Sequence, residues 1–161
     1  MTGPQRFSLE QILDAIRHHL AARHTCVLAT CRADIPWAAS SFYVSRDLDL
    51  YVCQGRTART LDNMRANPRT AFTVDDRQAA AWLQGVGRAG VVDPADDRWA
   101  RERLQVVAPE FTHHFTNPQQ PVLRVSVEEL AFADRPGGIY PRQHLVQRNG
   151  AWEFVEGRAS C

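Results

Sequence analysis

The sequence contains no lysine, and all 19 of its basic residues are arginines. Schiff-base catalysis and the phosphate-binding P-loop both require a lysine, so both are excluded. The chain also lacks a run of 18 apolar residues, and we therefore expect no membrane-spanning helix. A balance of 19 basic and 18 acidic residues gives a formal charge of +1. Nucleic acids and anionic lipid surfaces attract concentrated positive charge, so we expect neither as a partner.

Signals for export and for disulfide bonding are also missing. Residues 1–6 are polar and are not followed by the uninterrupted apolar segment of a secretory signal. The four cysteines, Cys26, Cys31, Cys53 and Cys161, do not have the spacing of a disulfide framework. We therefore expect reduced thiols in a cytoplasmic protein.

The length and composition predict one domain. A chain of 161 residues, 44% of them hydrophobic, fits a single core better than two. A domain of this size buries roughly 70% of the surface of its unfolded chain, so it needs neither a disulfide nor a metal for stability. We expect one domain over residues 1–161 that includes an N-terminal helix at about 8–23.

The pattern of apolar residues predicts this helix and then a series of strands. Ser8 and Gln11 form a potential capping box, and apolar residues recur after them at helical spacing. Residues 25–31, 37–44 and 48–53 are short segments rich in β-formers between turn-like sequences, which predicts three antiparallel strands in a meander.

The middle of the chain predicts alternating helices and strands. We expect a short helix at about 58–66, capped by Thr57 and ended by Asn67-Pro68. Strands over 69–74 and 82–92 and a helix over 94–107 follow. The second of these strands contains Gly85, Gly87 and Gly90, a spacing that predicts a bulge or a close approach of two backbones.

The C-terminal third predicts further β-structure. Residues 110–120 have no clear period, whereas 122–127 alternate and 130–133 continue that strand. Asn149-Gly150 separates two β-like segments and is typical of a tight hairpin turn. The fold class expected is therefore mainly β, with helices inserted between the strands.

Common catalytic and metal motifs are not present. Cys26 and Cys31 are five residues apart in a strand, so their side chains point to opposite faces of the sheet. Four of the six histidines form the adjacent pairs His18-His19 and His113-His114, which is not helical chelate spacing, and we expect no structural zinc site. A single histidine ligand to haem has no spacing signature and stays open. The Gly-x-Ser-x-Gly motif of serine hydrolases is absent, and no catalytic residue is assigned.

The segment from Gln54 to Thr60 predicts an anion site. A strand ends there, Gly55 permits a turn, and a helix begins beside Arg56 and Arg59. Unpaired amides at a helix start and arginine side chains together favour phosphate binding. The alternative is a helix start with the same sequence whose arginines are solvated and bind no anion.

The order of these motifs resembles the pyridoxamine 5′-phosphate oxidase-like FMN-binding split-barrel family. The resemblance runs over about residues 25–92 and rests on Val27-Leu-Ala-Thr30, Pro36-Trp-Ala-Ala-Ser-Ser-Phe-Tyr43, Leu50-Tyr-Val52, Asn67-Pro-Arg69 and Gly85-Val-Gly-Arg-Ala89. The segment Leu130-Ala-Phe-Ala-Asp134, followed by Gly138-Ile-Tyr140, is similar to the YhbP-like branch of that family.

The resemblance implies a homodimer of split β-barrels with FMN between the subunits. The family's segment beside the flavin ring corresponds to Ala39, Ser40, Ser41 and Phe42, and its strand end beside the phosphate to Cys53 and Gln54. Its phosphate-binding pair corresponds to Arg59 and Thr60, with Arg56 and Thr57 in the same turn. A glutamine of the oxidases corresponds to Trp82. Thr60 replaces the family's lysine, and the oxidases' C-terminal substrate arginines have no counterpart.

Two classes of function follow for a protein with a small-molecule ligand. The first is an FMN-dependent oxidoreductase of unknown substrate, in which the flavin does the redox chemistry and the protein orients it. The second is a split-barrel protein that binds haem or another planar anionic ligand without redox chemistry.

Overall fold

We describe residues 7–155 of the chain from a computed structural model. Its helices and strands are, in chain order, α1 Leu9–Ala21, β1 Thr25–Arg32, β2 Ile35–Phe42, β3 Val44–Arg46, β4 Asp49–Cys53, α2 Arg59–Ala66, β5 Arg69–Asp76, β6 Ala81–Val91, α3 Pro94–Val107, α4 Thr112–Thr116, β7 Val122–Asp134, β8 Ile139–Arg148 and β9 Ala151–Phe154. The mainly β class is confirmed. Cys161 and the first six residues lie outside the described part.

The strands form one curled antiparallel sheet, and its order corrects the expected meander. The order is β2-β1-β5-β6-β7-β4-β3, with β8 and β9 added beside β7. β2 and β3 follow each other in the chain but lie at opposite ends of this order, because β1 pairs with β5 and β4 pairs with β7. The short-range pattern identified the strands but contained no information about these long-range pairs. This arrangement is the split barrel.

α1 packs on the inner face of the sheet. The capping box at Ser8 and Gln11 is present, and the buried side chains of the helix are Ile12, Leu13, Ile16, His19 and Leu20. The apolar ones join the main core cluster with Leu28 of β1. The Tyr43 hydroxyl donates a hydrogen bond to the Leu20 carbonyl at 2.9 Å, which ties the β2–β3 corner to the end of the helix.

The inner and outer faces of the sheet differ in what covers them. Cys26 and Leu28 of β1 are buried on the inner face, whereas Val27 between them is 38% exposed on the outer face. Near β4 the outer face is covered by α3 and α4, whose Leu104 and Phe115 form a second core cluster with residues of β3, β4 and β7. Across β1, β5 and β6 no described helix covers it.

One of the three β6 glycines serves the predicted close approach of two backbones, and a second faces an aromatic ring. The register between β6 and β7 shifts at Val86/Gly87, which is the expected bulge. A Cβ at Gly87 would overlap the backbone of Ser126, and one at Gly85 would overlap the Phe72 ring. The Asn149-Gly150 turn is also confirmed, with φ of 51° and 81° between β8 and β9.

One local expectation is wrong. Thr57 does not cap α2: Ala58 occupies the N-cap position, and no side chain makes a cap hydrogen bond there. Gly55 and Ala58 instead form a backbone turn, because the Ala58 N–H donates to the Gly55 carbonyl at 2.9 Å. Residues 110–120, which have no clear period in the sequence, contain the end of a 3-10 turn at Pro109–Phe111 and the helix α4. This short element is held by tertiary contacts and has no periodic pattern of its own.

Candidate functional site

The turn between β4 and α2 presents two arginines. Arg56 lies in the turn and Arg59 is the first residue of α2. None of the ion pairs between described residues involves either of them. The uncapped first turn of α2 adds the positive end of a helix beside them. This turn therefore combines two unpaired cations with backbone donors.

The inner face of β2 borders this turn. The register of β1 with β2 pairs Thr30 with Trp37 and Cys26 with Ser41, so Trp37 and Ser41 share the inner face. The Gln54 amide donates a hydrogen bond to the Ser41 hydroxyl oxygen at 3.1 Å. The guanidinium carbon of Arg59 lies 4.6 Å from the centre of the Trp37 ring. The turn is thus connected to both ends of β2.

A buried hydrogen bond fixes α2 against the sheet. The Asn63 amide donates to the Thr30 hydroxyl at 3.0 Å, and the two side chains are 2% and 3% exposed. Asn63 lies one helical turn after Arg59, so both face the same part of the sheet. Thr60 is itself 3% exposed and faces the protein interior.

The segment after α4 holds the other side of the turn. The Arg56 N–H donates to the Gln120 side-chain oxygen, and the Gln54 N–H donates to the Pro121 carbonyl at 2.9 Å. The Cys53 thiol donates to the Gln120 carbonyl at 3.7 Å. Residues 120–121 therefore lie along residues 53–56 and set the path of the backbone there.

Arg101 of α3 fixes this segment. Its guanidinium donates to the carbonyls of Phe115, Asn117 and Gln120, the last at 2.7 Å, and also pairs with Asp97. Its side chain is 15% exposed. Arg101 therefore positions the residues that contact the turn without lying in the turn itself.

Cys53 is buried at the strand end beside the turn. Burial raises the pKa of its thiol to about 11, and the nearby Arg101 charge opposes this only in part. A thiol with a raised pKa is a poor nucleophile at neutral pH. Burial and the raised pKa therefore favour a packing role for Cys53 over a redox role.

The open part of the outer face forms a second concave surface, which we call the outer groove. It has a volume of about 530 Å³. Two rows of directly paired residues run across this face of the sheet, namely Ser40–Val27–Thr73–Gln84–Ala131–His144 and Ala38–Ala29–Ala71–Val86–Glu129–Val146. Small apolar side chains dominate the second row, so a flat group can approach the backbone closely.

The predicted site residues fall into three groups. Ala39, Ser41, Gln54 and Arg59 come together along the inner face of β2, with Cys53, Arg56, Thr57 and Thr60 in the adjoining strand end, turn and helix. Ser40 and Phe42 alternate to the outer face. Trp82 is half-buried on the outer face of β6, opposite Asp75 and Ala133 and distant from the turn.

Three residues at the site were missed from the sequence. Trp37 contacts Arg59, and its position opposite Thr30 in the second strand was the available signal. Gln120 and Arg101 could not be identified, because they contact backbone groups of a segment without periodicity. In the described part of the chain, no three His, Cys, Asp or Glu side chains cluster as a metal site. Among residues 7–155, no helix has the length and apolar character needed to cross a membrane.

Comparison with known families identifies the class of protein. A sequence profile of the pyridoxamine 5′-phosphate oxidase family matches residues 12–134, which include the inner face of β2 and the turn. The chain belongs to this family. No protein of curated function matches it significantly.

Solved structures share the fold at low sequence identity. A haem-binding protein from Mycobacterium smegmatis superposes with a TM-score of 0.74 at 18% identity, over 88% of this chain and 59% of that one. A putative pyridoxamine 5′-phosphate oxidase from Listeria innocua superposes with a TM-score of 0.65 at 20% identity, over 75% of this chain and 97% of that one. A FAD-binding protein from Mesorhizobium loti superposes with a TM-score of 0.60 at 19% identity, over 78% of this chain and 94% of that one. These likenesses show the split-barrel fold, and they do not select one ligand.

Proposed function

We propose that this protein binds FMN through the turn between β4 and α2 and acts as a flavin-dependent oxidoreductase. Membership of the family supports a flavin. The observation that carries the proposal is the position of Arg59 at the first turn of α2, where it forms no ion pair with a carboxylate of residues 7–155. Guanidinium groups form paired, charge-assisted hydrogen bonds with phosphate oxygens, so the turn fits the FMN phosphate.

The residues around the turn would have distinct roles. Arg59 would bind the phosphate, and Arg56 would add a second cation in place of the family's lysine. Ser41 and Gln54, joined by their hydrogen bond, would border the ring on the inner face of β2. When bound, the flavin supplies hydride-transfer chemistry. The protein's contribution is to hold and orient it, and no side chain is assigned as an acid or base.

We propose a homodimer that closes over the outer groove. The groove is lined mostly by apolar residues, spans five strands, and includes Val27 at 38% exposure. A large exposed apolar patch of this kind is typical of an interaction surface. A second subunit would cover this patch and bring Trp82 into the interface. Light scattering at micromolar concentration tests this, and a monomer would contradict it.

Haem is the second candidate ligand. Its support is the fold similarity to the haem-binding protein of Mycobacterium smegmatis. Haem is planar, and its propionates are anions that the two arginines of the turn could bind. In this case the protein would bind the ligand without flavin chemistry. The free thiols Cys26 and Cys53 agree with a cytoplasmic location for either function.

Absorption spectra distinguish the two ligands. The purified protein, incubated with FMN or hemin and passed through a desalting column, should keep flavin bands near 370 and 450 nm (approximate, a property of the cofactor). Retention of hemin with a Soret band, and no retention of FMN, would replace the flavin proposal with the haem one. Retention of neither would contradict both.

A further inference from the structure

Trp37 contacts Arg59 by its ring face. The guanidinium carbon lies 4.6 Å from the ring centre, a distance typical of a cation–π contact. We infer that Trp37 is a positioning residue that holds Arg59 in the orientation in which it binds the ligand phosphate. This inference rests on the proposed function and identifies a determinant of affinity outside the turn.

A guanidinium over a ring keeps hydrogen-bond donors available. It has five N–H donors, and contact with one ring face occupies at most part of them. No carboxylate of the described residues pairs with Arg59, so these donors are not used by an ion pair. Trp37 therefore removes side-chain freedom from Arg59 without occupying the donors that a phosphate needs. A ligand then binds without the cost of ordering that side chain.

The surrounding contacts fix the two partners relative to each other. Trp37 is the register partner of Thr30, and Thr30 accepts the buried hydrogen bond from Asn63 of α2. The contacts of Arg59 with Trp37 and of Asn63 with Thr30 are one helical turn apart. Together they hold α2 against the neighbouring strands β2 and β1. A rotation of α2 that separated Arg59 from Trp37 would break the buried hydrogen bond.

The exposure of Trp37 argues against a purely structural role. Trp37 is 39% exposed, lies on an end strand of the sheet and belongs to neither core cluster. A large aromatic group in such a place contributes little to the core. Its contact with Arg59 is the interaction that accounts for its position.

The test measures FMN and riboflavin affinities, because riboflavin has the same ring without the phosphate. The variants are Trp37→Leu, Trp37→Phe, Arg59→Gln and the double variant of Trp37→Leu with Arg59→Gln. Arg65→Ala is the control on the exposed side of α2 near its end. Flavin fluorescence quenching gives each dissociation constant, and circular dichroism verifies the fold.

Trp37→Leu should weaken FMN binding about five- to tenfold and leave riboflavin binding unchanged. Trp37→Phe should retain most of the affinity, since a phenyl ring also attracts a guanidinium. In the Arg59→Gln background, Trp37→Leu should cause no further loss, because the tryptophan acts through the arginine. Arg65→Ala should match the wild type.

The outcomes separate this inference from the proposed function. Equal losses of FMN and riboflavin affinity in Trp37→Leu, or full additivity with Arg59→Gln, would overturn the positioning role while the flavin proposal stands. A wild-type protein that binds riboflavin as tightly as FMN would overturn the phosphate site, and the inference with it.

Discussion

Alanine substitution at the three β6 glycines should have three different effects on stability. A Cβ at Gly87 would overlap the Ser126 carbonyl and lie 3.1 Å from the Val127 Cα, so the obstacle is the backbone of β7. A Cβ at Gly85 would meet the ring of Phe72, a buried side chain. A Cβ at Gly90 would have no atom within 4 Å.

The expected magnitudes follow from what must move. Gly87→Ala forces β6 and β7 apart at their bulge and should lower the free energy of unfolding by about 3 kcal/mol, at the upper end for overpacking. Gly85→Ala requires only a ring to shift and should cost about 1–3 kcal/mol. Gly90→Ala should be neutral or stabilise by up to about 1 kcal/mol, because alanine restricts the unfolded chain.

Urea denaturation followed by far-UV circular dichroism measures the three variants against the wild type. Equal denaturant slopes are required, since a changed slope signals a changed unfolded state or a loss of two-state behaviour. The order of stability should be Gly90→Ala, then Gly85→Ala, then Gly87→Ala. Equal unfolding free energies for Gly87→Ala and Gly90→Ala would refute the close approach of β6 and β7.

Three further predictions concern single side chains. Arg59→Ala should weaken FMN binding roughly ten- to hundredfold in a fluorescence titration, while Arg65→Ala should not; equal affinities would refute the anchor. Cys53 should react with iodoacetamide far more slowly than a model thiol at pH 8, because burial raises its pKa to about 11; equal rates would contradict this. Burial lowers the pKa of His19, so His19 stays neutral in the folded protein at pH values at which it is protonated in the unfolded chain. The free energy of unfolding of the wild type should therefore decrease as the pH falls below about 6.5. In urea titrations, His19→Gln should reduce that decrease, whereas His18→Gln, at an exposed position, should not.

Most elements of the fold were predictable because their signals are local. The capping box and apolar spacing of α1, the proline that ends α2 and the Asn149-Gly150 turn each depend on neighbouring residues. The sheet order was not predictable in this way. The pairing of β1 with β5 joins residues 40 or more positions apart, and the alternation of each strand is compatible with several partners.

The candidate site was predictable in part for the same reason. Gln54, Arg56 and Arg59 are close in sequence, so a strand-turn-helix pattern identified them together. The residues that support them come from other elements: Trp37 from β2, Arg101 from α3 and Gln120 from the segment before β7. The predicted cap at Thr57 is wrong because the backbone turn from Gly55 to Ala58 places the N-cap of α2 at Ala58, one residue later.

A crystal structure of the protein with FMN tests the central claim most directly. We expect a phosphate oxygen within about 3 Å of the Arg59 guanidinium, with that guanidinium still over the Trp37 ring. We also expect the flavin ring to lie along the inner face of β2. Density for the phosphate at another place on the chain, with Arg59 free of it, would contradict the account.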